Sequence, residues 1–300
     1  MPHLLSLSDL GKKSLLKLLD RADKHKDKRG QVGTKALAGK CVALVFEKAS
    51  TRTRISLEVA VVELGGHPLV ITSQGSQMGR GEPIRDTARV LSRMVHGITF
   101  RTSGPERLVE MAESSRVPVL NALTDTSHPM QLLADLMTVR RTRGKLTGLR
   151  YAWVGDGNNM AASWIEAAGL LGLELTLGCP NGYLPESGLV DAANDRGGRV
   201  RVVTDARAAV EGADVVSTDV FTSMGQEAET KKRLQAFEGY RLTSQLLRGA
   251  SENVVVLHCL PAHRGEEIDD DVIEGPRSFV WDQAEARLHT AKAALEWALG

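Results

Sequence analysis

The chain has 300 residues, enough for two hydrophobic cores of ordinary domain size. Thirty-eight Lys and Arg against 37 Asp and Glu leave a formal charge of +1, without the basic excess of a nucleic-acid or anionic-membrane binder. A hydrophobic content of 42% with 25% charged residues excludes disorder as a whole-chain class.

In chain order, Ser8 is expected to cap a helix carrying Leu10, Leu15, Leu18 and Leu19, which ends in the Lys/Asp run before Gly30. Cys41 to Phe46 reads as a buried strand. Arg52 to Leu64 reads as a helix with Ile55, Val59 and Val62 on its apolar face, stopped by Gly65 and Gly66. Leu69 to Ile71 is the next strand, and Pro83 opens a helix with Ile84, Ala88, Leu91 and Val95 at helical spacing. Strands follow at 97–100 and 117–120, then a helix from Pro129. The basic, glycine-bearing stretch from Arg140 to Gly148 is the expected linker. Beyond it come strand 150–154, helix 159–171, strand 173–178, helix 186–195, strand 200–203, helix 205–211 and strand 214–218. A polar stretch, strand 253–257 and an amphipathic helix from Gln283 complete the chain. The alternation predicts an α/β protein of two domains, with mainly parallel sheets flanked by helices. The expected bounds are 1–143 and 149–281, with 282–300 as a C-terminal helix packing back on the first domain.

No apolar run reaches the ~20 residues of a bilayer span, since Glu166 interrupts the longest, Ala161 to Leu173. Cys41, Cys179 and Cys259 form no CxxC pair, and the N-terminus shows no continuous apolar signal segment. A cytoplasmic protein is expected, with no membrane and no nucleic acid among its partners.

Chemistry-bearing residues follow the strands, where ligands of parallel sheets bind. Ser50-Thr51-Arg52-Thr53-Arg54 lies where a strand gives way to a helix, so hydroxyls, guanidinium and unpaired N–H groups converge on an anion site. The ordinary alternative is a capping serine with solvated arginines. His128-Pro129-Met130-Gln131 puts an imidazole and an amide at another helix start, able to polarise a carbonyl. Gly155-Asp156-Gly157-Asn158-Asn159-Met160 half-matches a dinucleotide fingerprint. Its third glycine is Met160, and the next strand ends in Gly178-Cys179-Pro180 without the ribose-binding acid, which argues against a nicotinamide-dependent oxidoreductase. Asp219 begins a small-residue loop through Ser223, Met224 and Gly225, suited to gripping an ammonium and to moving over it. His258-Cys259-Leu260-Pro261 follows the last strand, and its spacing matches no zinc site.

Taken in order and spacing, Ser-Thr-Arg-Thr-Arg at 50–54, His-Pro-x-Gln at 128–131, Asp-x-x-x-Ser-Met-Gly at 219–225 and His-Cys-Leu-Pro at 258–261 resemble the aspartate/ornithine carbamoyltransferase family. Ser-Met-Gly with His-Cys-Leu-Pro-Ala is similar to its ornithine branch; Met130 is one departure, where many members have Cys. The resemblance covers nearly the whole chain. It implies a site in the cleft between the domains and a carbamoyl transfer from carbamoyl phosphate to the δ-amine of L-ornithine, without metal or organic cofactor. By that resemblance Ser50, Thr51, Arg52 and Thr53 hold the phosphate, and Arg101, His128 and Gln131 the carbamoyl group. Gln77 serves a neighbouring subunit of a homotrimer or a multiple of one. Asn159, with or without Asn158, joins Asp219, Ser223 and Met224 around the α-amino-acid end. Cys259 and Leu260 line the side chain, and Arg287 returns to the carbamoyl site. Arg52, Arg101, His128 and Cys259 are the implied catalytic set. Related amines, putrescine or an acylated ornithine, are the alternative substrates, and Asp219 favours a free α-amino group over both.

Overall fold

A computed structural model describes residues 2–31, 35–74, 76–223 and 227–300. The chain divides into two compact units, Met1–Met137 with Glu285–Gly300, and Thr138–Ala284. Each is built on its own parallel sheet.

The first unit contains α1 (Gly11–Asp27), β1 (Cys41–Phe46), α2 (Thr51–Glu63), β2 (His67–Thr72), α3 (Ile84–Leu91), β3 (Gly97–Arg101), α4 (Pro105–Ser114), β4 (Val119–Leu123) and the start of α5 (Pro129–Arg143). Its strand order is β2-β1-β3-β4, every pair parallel. Ala43, Val45, Ile98, Phe100 and Val119 of the sheet bury against Ile84, Ala88 and Met111 of α3 and α4. Such near-continuous apolar strands are what a sheet covered by helices requires.

The second unit holds the rest of α5, then β5 (Arg150–Val154), α6 (Asn159–Leu171), β6 (Glu174–Gly178), α7 (Ser187–Asp195), β7 (Arg199–Val203), α8 (Ala206–Val210), β8 (Val215–Thr218), α9 (Thr230–Ala236), β9 (Val255–His258), α10 (Asp270–Ile273) and the first residues of α11 (Val280–Leu299). Its parallel sheet runs β7-β6-β5-β8-β9. Val154, Val216, Val256, Phe221, Phe237 and Val280 share its core, with the Phe221 and Phe237 rings stacked at 4.5 Å. Strand order reverses between β1 and β3 in one sheet and between β5 and β8 in the other. Those switch points are where such sheets open for ligands.

Several local expectations are corrected. Ser8 does not cap the first helix: it lies in a 3-10 turn, Leu7–Asp9, and α1 begins at Gly11. The Asp9 carboxylate accepts from the Leu5 and Ser6 N–H groups at 2.7 and 2.9 Å, closing that turn before the helix can start. In α2 the buried face is Thr53, Leu57, Ala60 and Val61, whereas Ile55 and Val62 are 55% and 59% exposed. The expected linker is shorter, because α5 continues to Arg143, whose guanidinium donates to Asn253 O at 2.8 Å and contacts Asp214. Helix α4, opened by Pro105 at its first turn, and helix α9 in the polar stretch had no counterpart in the sequence reading. Among the described residues no helix is long and apolar enough to cross a membrane.

Candidate active site

In the first unit the candidate residues gather at carboxyl ends of strands and at helix starts. Ser50 occupies the N-cap of α2 with extended backbone, yet its side chain makes no capping bond. The helix start therefore keeps donors for an anion, and Thr51 and Arg52 sit in its first turn. Arg54 turns away to pair with Glu58 at 3.1 Å, the ordinary fate of a helix-start arginine. Thr53 points inward and is buried.

Two elements converge on Thr53. Arg287 of α11 donates to Thr53 Oγ1 at 2.7 Å through Nη2 and to Gln131 Oε1 at 2.5 Å through Nη1. Arg101, at the end of β3, approaches the same hydroxyl at 3.4 Å. Gln131 passes the chain on, its Nε2 donating to buried Asp135 at 2.8 Å. His128, at the start of α5, is buried beside these groups. Burial first, and then the Arg287 and Arg101 charges, hold its pKa well below the usual imidazole range, so it is neutral at pH 7. A neutral imidazole between guanidinium groups can offer an N–H to an oxygen acquiring negative charge without adding a third cation. Gln77 lies on the exposed loop before a 3-10 turn, its backbone O accepting from Arg80 and Glu82.

The second unit presents a different set. Asn158 is the N-cap of α6: Oδ1 accepts from Met160 N and Ala161 N at 2.9 and 3.2 Å, and Nδ2 donates to Asp219 Oδ2 at 3.0 Å. Asp219, just beyond β8, also takes the Cys259 thiol on Oδ1 at 2.9 Å and its own Val220 N–H at 2.8 Å. Asn158 thus faces Asp219, and the Asn159 backbone carbonyl accepts from the Ser163 hydroxyl at 2.7 Å. Gly157 lets this loop pass close to its neighbour: a Cβ there would lie 2.3 Å from Pro185 N. Leu260 has φ 59°, a left-handed conformation unusual for leucine, followed by a cis bond to Pro261. Its N–H donates to His258 Nδ1 at 2.8 Å, and His258 Nε2 meets the buried Glu267 carboxylate at 3.1 Å. Those partners make Nδ1 the acceptor and put the proton on Nε2. Ligand atoms of Asp219, His258 and Cys259 lie within 4.8 Å of one another. Both imidazole nitrogens are committed, however, so His258 has no lone pair left for a metal. Ser223 lies in the loop after Phe221, and Met224 and Gly225, the expected gripping residue and hinge, lie outside the described residues.

Sequence reasoning passed over two side chains that organise these sets, Asp135 and Glu267, and named Asn158 only beside Asn159. Asp135 is four residues from Gln131 on α5, a spacing that places both on one face. Asn158 carried the signal of an N-cap immediately before a helix. Glu267, nine residues from His258 and fully buried, had no local signal: only the fold brings it under the histidine.

Geometry thus defines an α/β protein of two parallel-sheet units, one with a cationic, hydroxyl-rich anion cradle and one with a carboxylate held by an amide and a thiol. Residues 2–141 match the carbamoyl-P binding domain, and residues 147–298 the Asp/Orn binding domain, described for aspartate/ornithine carbamoyltransferases. The chain belongs to the aspartate/ornithine carbamoyltransferase family. It is 55% identical over 296 residues to an ornithine carbamoyltransferase of Geobacter sulfurreducens, covering 98% of this chain and 97% of that protein. An ornithine carbamoyltransferase of Archaeoglobus fulgidus is 49% identical over 301 residues, covering 100% and 98%. Among solved structures, the ornithine carbamoyltransferase of Pyrococcus furiosus superposes with a TM-score of 0.94 at 42% identity, covering 99% of this chain and 97% of that one. That of Thermus thermophilus gives 0.92 at 44%, covering 100% and 99%.

Proposed function

We propose that this chain transfers the carbamoyl group of carbamoyl phosphate to the δ-amine of L-ornithine, giving L-citrulline and phosphate. The observation that carries the reading is the pair of guanidinium groups on Thr53 beside a neutral, buried His128. This is a donor set suited to a carbonyl oxygen that becomes an oxyanion. Ser50, Thr51, Arg52 and Thr53 bind the phosphate at the α2 N-terminus, where the helix dipole favours an anion. Arg101, His128 and Arg287 donate to the carbamoyl oxygen, and Gln131 keeps Arg287 in place while accepting from the carbamoyl amide. Each oxyanion donor contributes on the order of 10²–10³ in rate.

Asp219 binds ornithine's α-ammonium. Three of the roughly four lone-pair sites of its carboxylate are filled by Asn158, Cys259 and Val220, which aims the remaining one. Asn158 and Asn159, Ser223 and Met224 surround the amino-acid end, and Cys259 and Leu260 run along the side chain. The δ-amine, with an intrinsic pKa near ~10, must lose a proton to attack. The arginines favour its neutral form, and a phosphate oxygen of the leaving group takes the proton. Attack forms a C–N bond and a tetrahedral intermediate, and the carbon–oxygen bond to phosphate then breaks.

The active assembly is a homotrimer, with Gln77 reaching the carbamoyl phosphate of a neighbouring subunit. Its exposure, and the exposed Ile55 and Val62 of α2, support a subunit interface on the first unit. Cytoplasmic arginine biosynthesis is the setting, in keeping with three free cysteines. A colorimetric citrulline assay with carbamoyl phosphate and L-ornithine, putrescine or N-acetylornithine tests the activity. Turnover with L-ornithine far above the other two is expected. Preference for either of the others overturns the substrate assignment, and no product from any amine overturns the activity.

A further inference from the structure

The loop between β1 and α2 begins with Glu47, an acid only three residues before the expected phosphate-binding serine. An uncompensated carboxylate there would oppose a bound dianion, since screening is incomplete within the Debye length of ~8 Å. Its surroundings show how the fold manages that charge. The Glu47 N–H donates to Arg101 O at 2.9 Å, and its own carbonyl accepts from Ser73 Oγ at 3.2 Å, joining loops that follow β1, β2 and β3. The side chain, 16% exposed, accepts from Thr102 Oγ1 and takes the Arg107 guanidinium in a fork, Nε on Oε2 at 3.0 Å and Nη2 on Oε1. Arg107 belongs to α4, the helix absent from the sequence reading. A bidentate fork fixes orientation as well as charge.

We propose that Arg107 is a positioning residue for the carbamoyl-phosphate site: it clamps Glu47, so that the β1 and β3 loop ends stay joined, and cancels the one carboxylate in the segment leading into the phosphate loop. The proposal rests on the carbamoyl-phosphate reading above. It makes α4 part of the anion site without Arg107 touching the ligand. Glu47 is kept because a carboxylate alone can accept from Thr102 and both guanidinium nitrogens at once, and Arg107 removes the electrostatic disadvantage of having it there.

The test is a double-mutant cycle of Arg107→Ala and Glu47→Gln, with Arg107→Lys beside it. Affinity for an unreactive phosphonate mimic of carbamoyl phosphate is measured by calorimetry, KM for each substrate by kinetics, and folding by thermal melts. Arg107→Ala should raise KM for carbamoyl phosphate ~10-fold and leave KM for ornithine and kcat within about twofold. The loss should shrink as salt is raised, and adding Glu47→Gln should recover at least ~3-fold of it, because the unneutralised charge has gone. Arg107→Lys, which keeps the charge but not the fork, should fall between parent and Arg107→Ala. If Arg107→Ala fails to fold, the same comparison of mimic affinity in Arg107→Lys and Glu47→Gln decides the matter. Unchanged mimic affinity in a folded Arg107 variant overturns the proposal alone, as does equal loss for both substrates or a double variant no better than the single. Absence of mimic binding by the parent protein overturns the site reading and this proposal with it.

Discussion

The two units assemble their candidate residues in opposite ways. In the first, the donors come from α2, β3, α5 and α11, and the contact that closes the set joins Thr53 to Arg287 across 234 residues of sequence. In the second, Asn158, Asp219 and Cys259 follow β5, β8 and β9, three strands adjacent in one sheet. One site is a cage of helices and a strand end around a buried and a half-buried arginine, the other a row of loop residues on one sheet edge. Binding a dianion calls for fixed positive charge, and fixed charge needs many supports. Gripping a flexible cation calls for one carboxylate in the right orientation.

The largest effect should come from breaking the cage at its most connected member. Arg287→Ala deletes two charge-assisted bonds and removes the donor that Gln131 and Thr53 share, so kcat/KM should fall by ~3–5 kcal/mol equivalent, with most of the loss on the carbamoyl-phosphate side. Steady-state kinetics at varied concentrations of both substrates would show it, and a loss confined to ornithine KM would mean the two sites are assigned the wrong way round. Asp219→Asn in the second unit should cost less, ~2–3 kcal/mol, carried almost wholly by ornithine KM. Cys259→Ala, which removes one weak donor from Asp219, should cost ~1 kcal/mol on the same parameter.

The smallest effect is on stability and concerns only the caged site. His128 is held well below the ordinary 6.5 when folded, so at pH below 6.5 the unfolded chain binds the extra proton first. Stability is therefore fully present above 6.5 and declines as pH falls toward the folded value. Denaturant midpoints measured from pH ~7 to ~5 should decline, and His128→Gln should flatten that slope. His3 and His289, also lowered chiefly by burial, act in the same direction and will leave a residual slope.

This contrast also explains what the sequence disclosed. Helix α6 is legible to the residue, 159–171, because an asparagine N-cap and Gly172, with φ 74°, punctuate both ends locally. Helix α2 has legible bounds but a misassigned face, since periodicity locates apolar residues without saying which of them face the core. The motif residues of the second unit sit beside the strands that present them, so a strand-end rule finds their neighbourhood. Sequence order could not reveal that Arg287 meets Thr53, nor that Glu267 lies beneath His258, because only the folded packing brings each pair together. The resemblance supplied Arg287 as a residue, and the fold supplies its partners.

The passage of α11 from one unit into the other has a bearing on how the protein is made. Thr53, Arg101 and His128 leave the ribosome early, but the guanidinium that ties Thr53 to Gln131 is encoded by residue 287. A nascent chain can fold β1 through β4 and still hold an open cage, its buried threonine and glutamine lacking their shared donor. Completion of the set around Thr53 is thus deferred until residue 287 has been made, after every strand of the second unit.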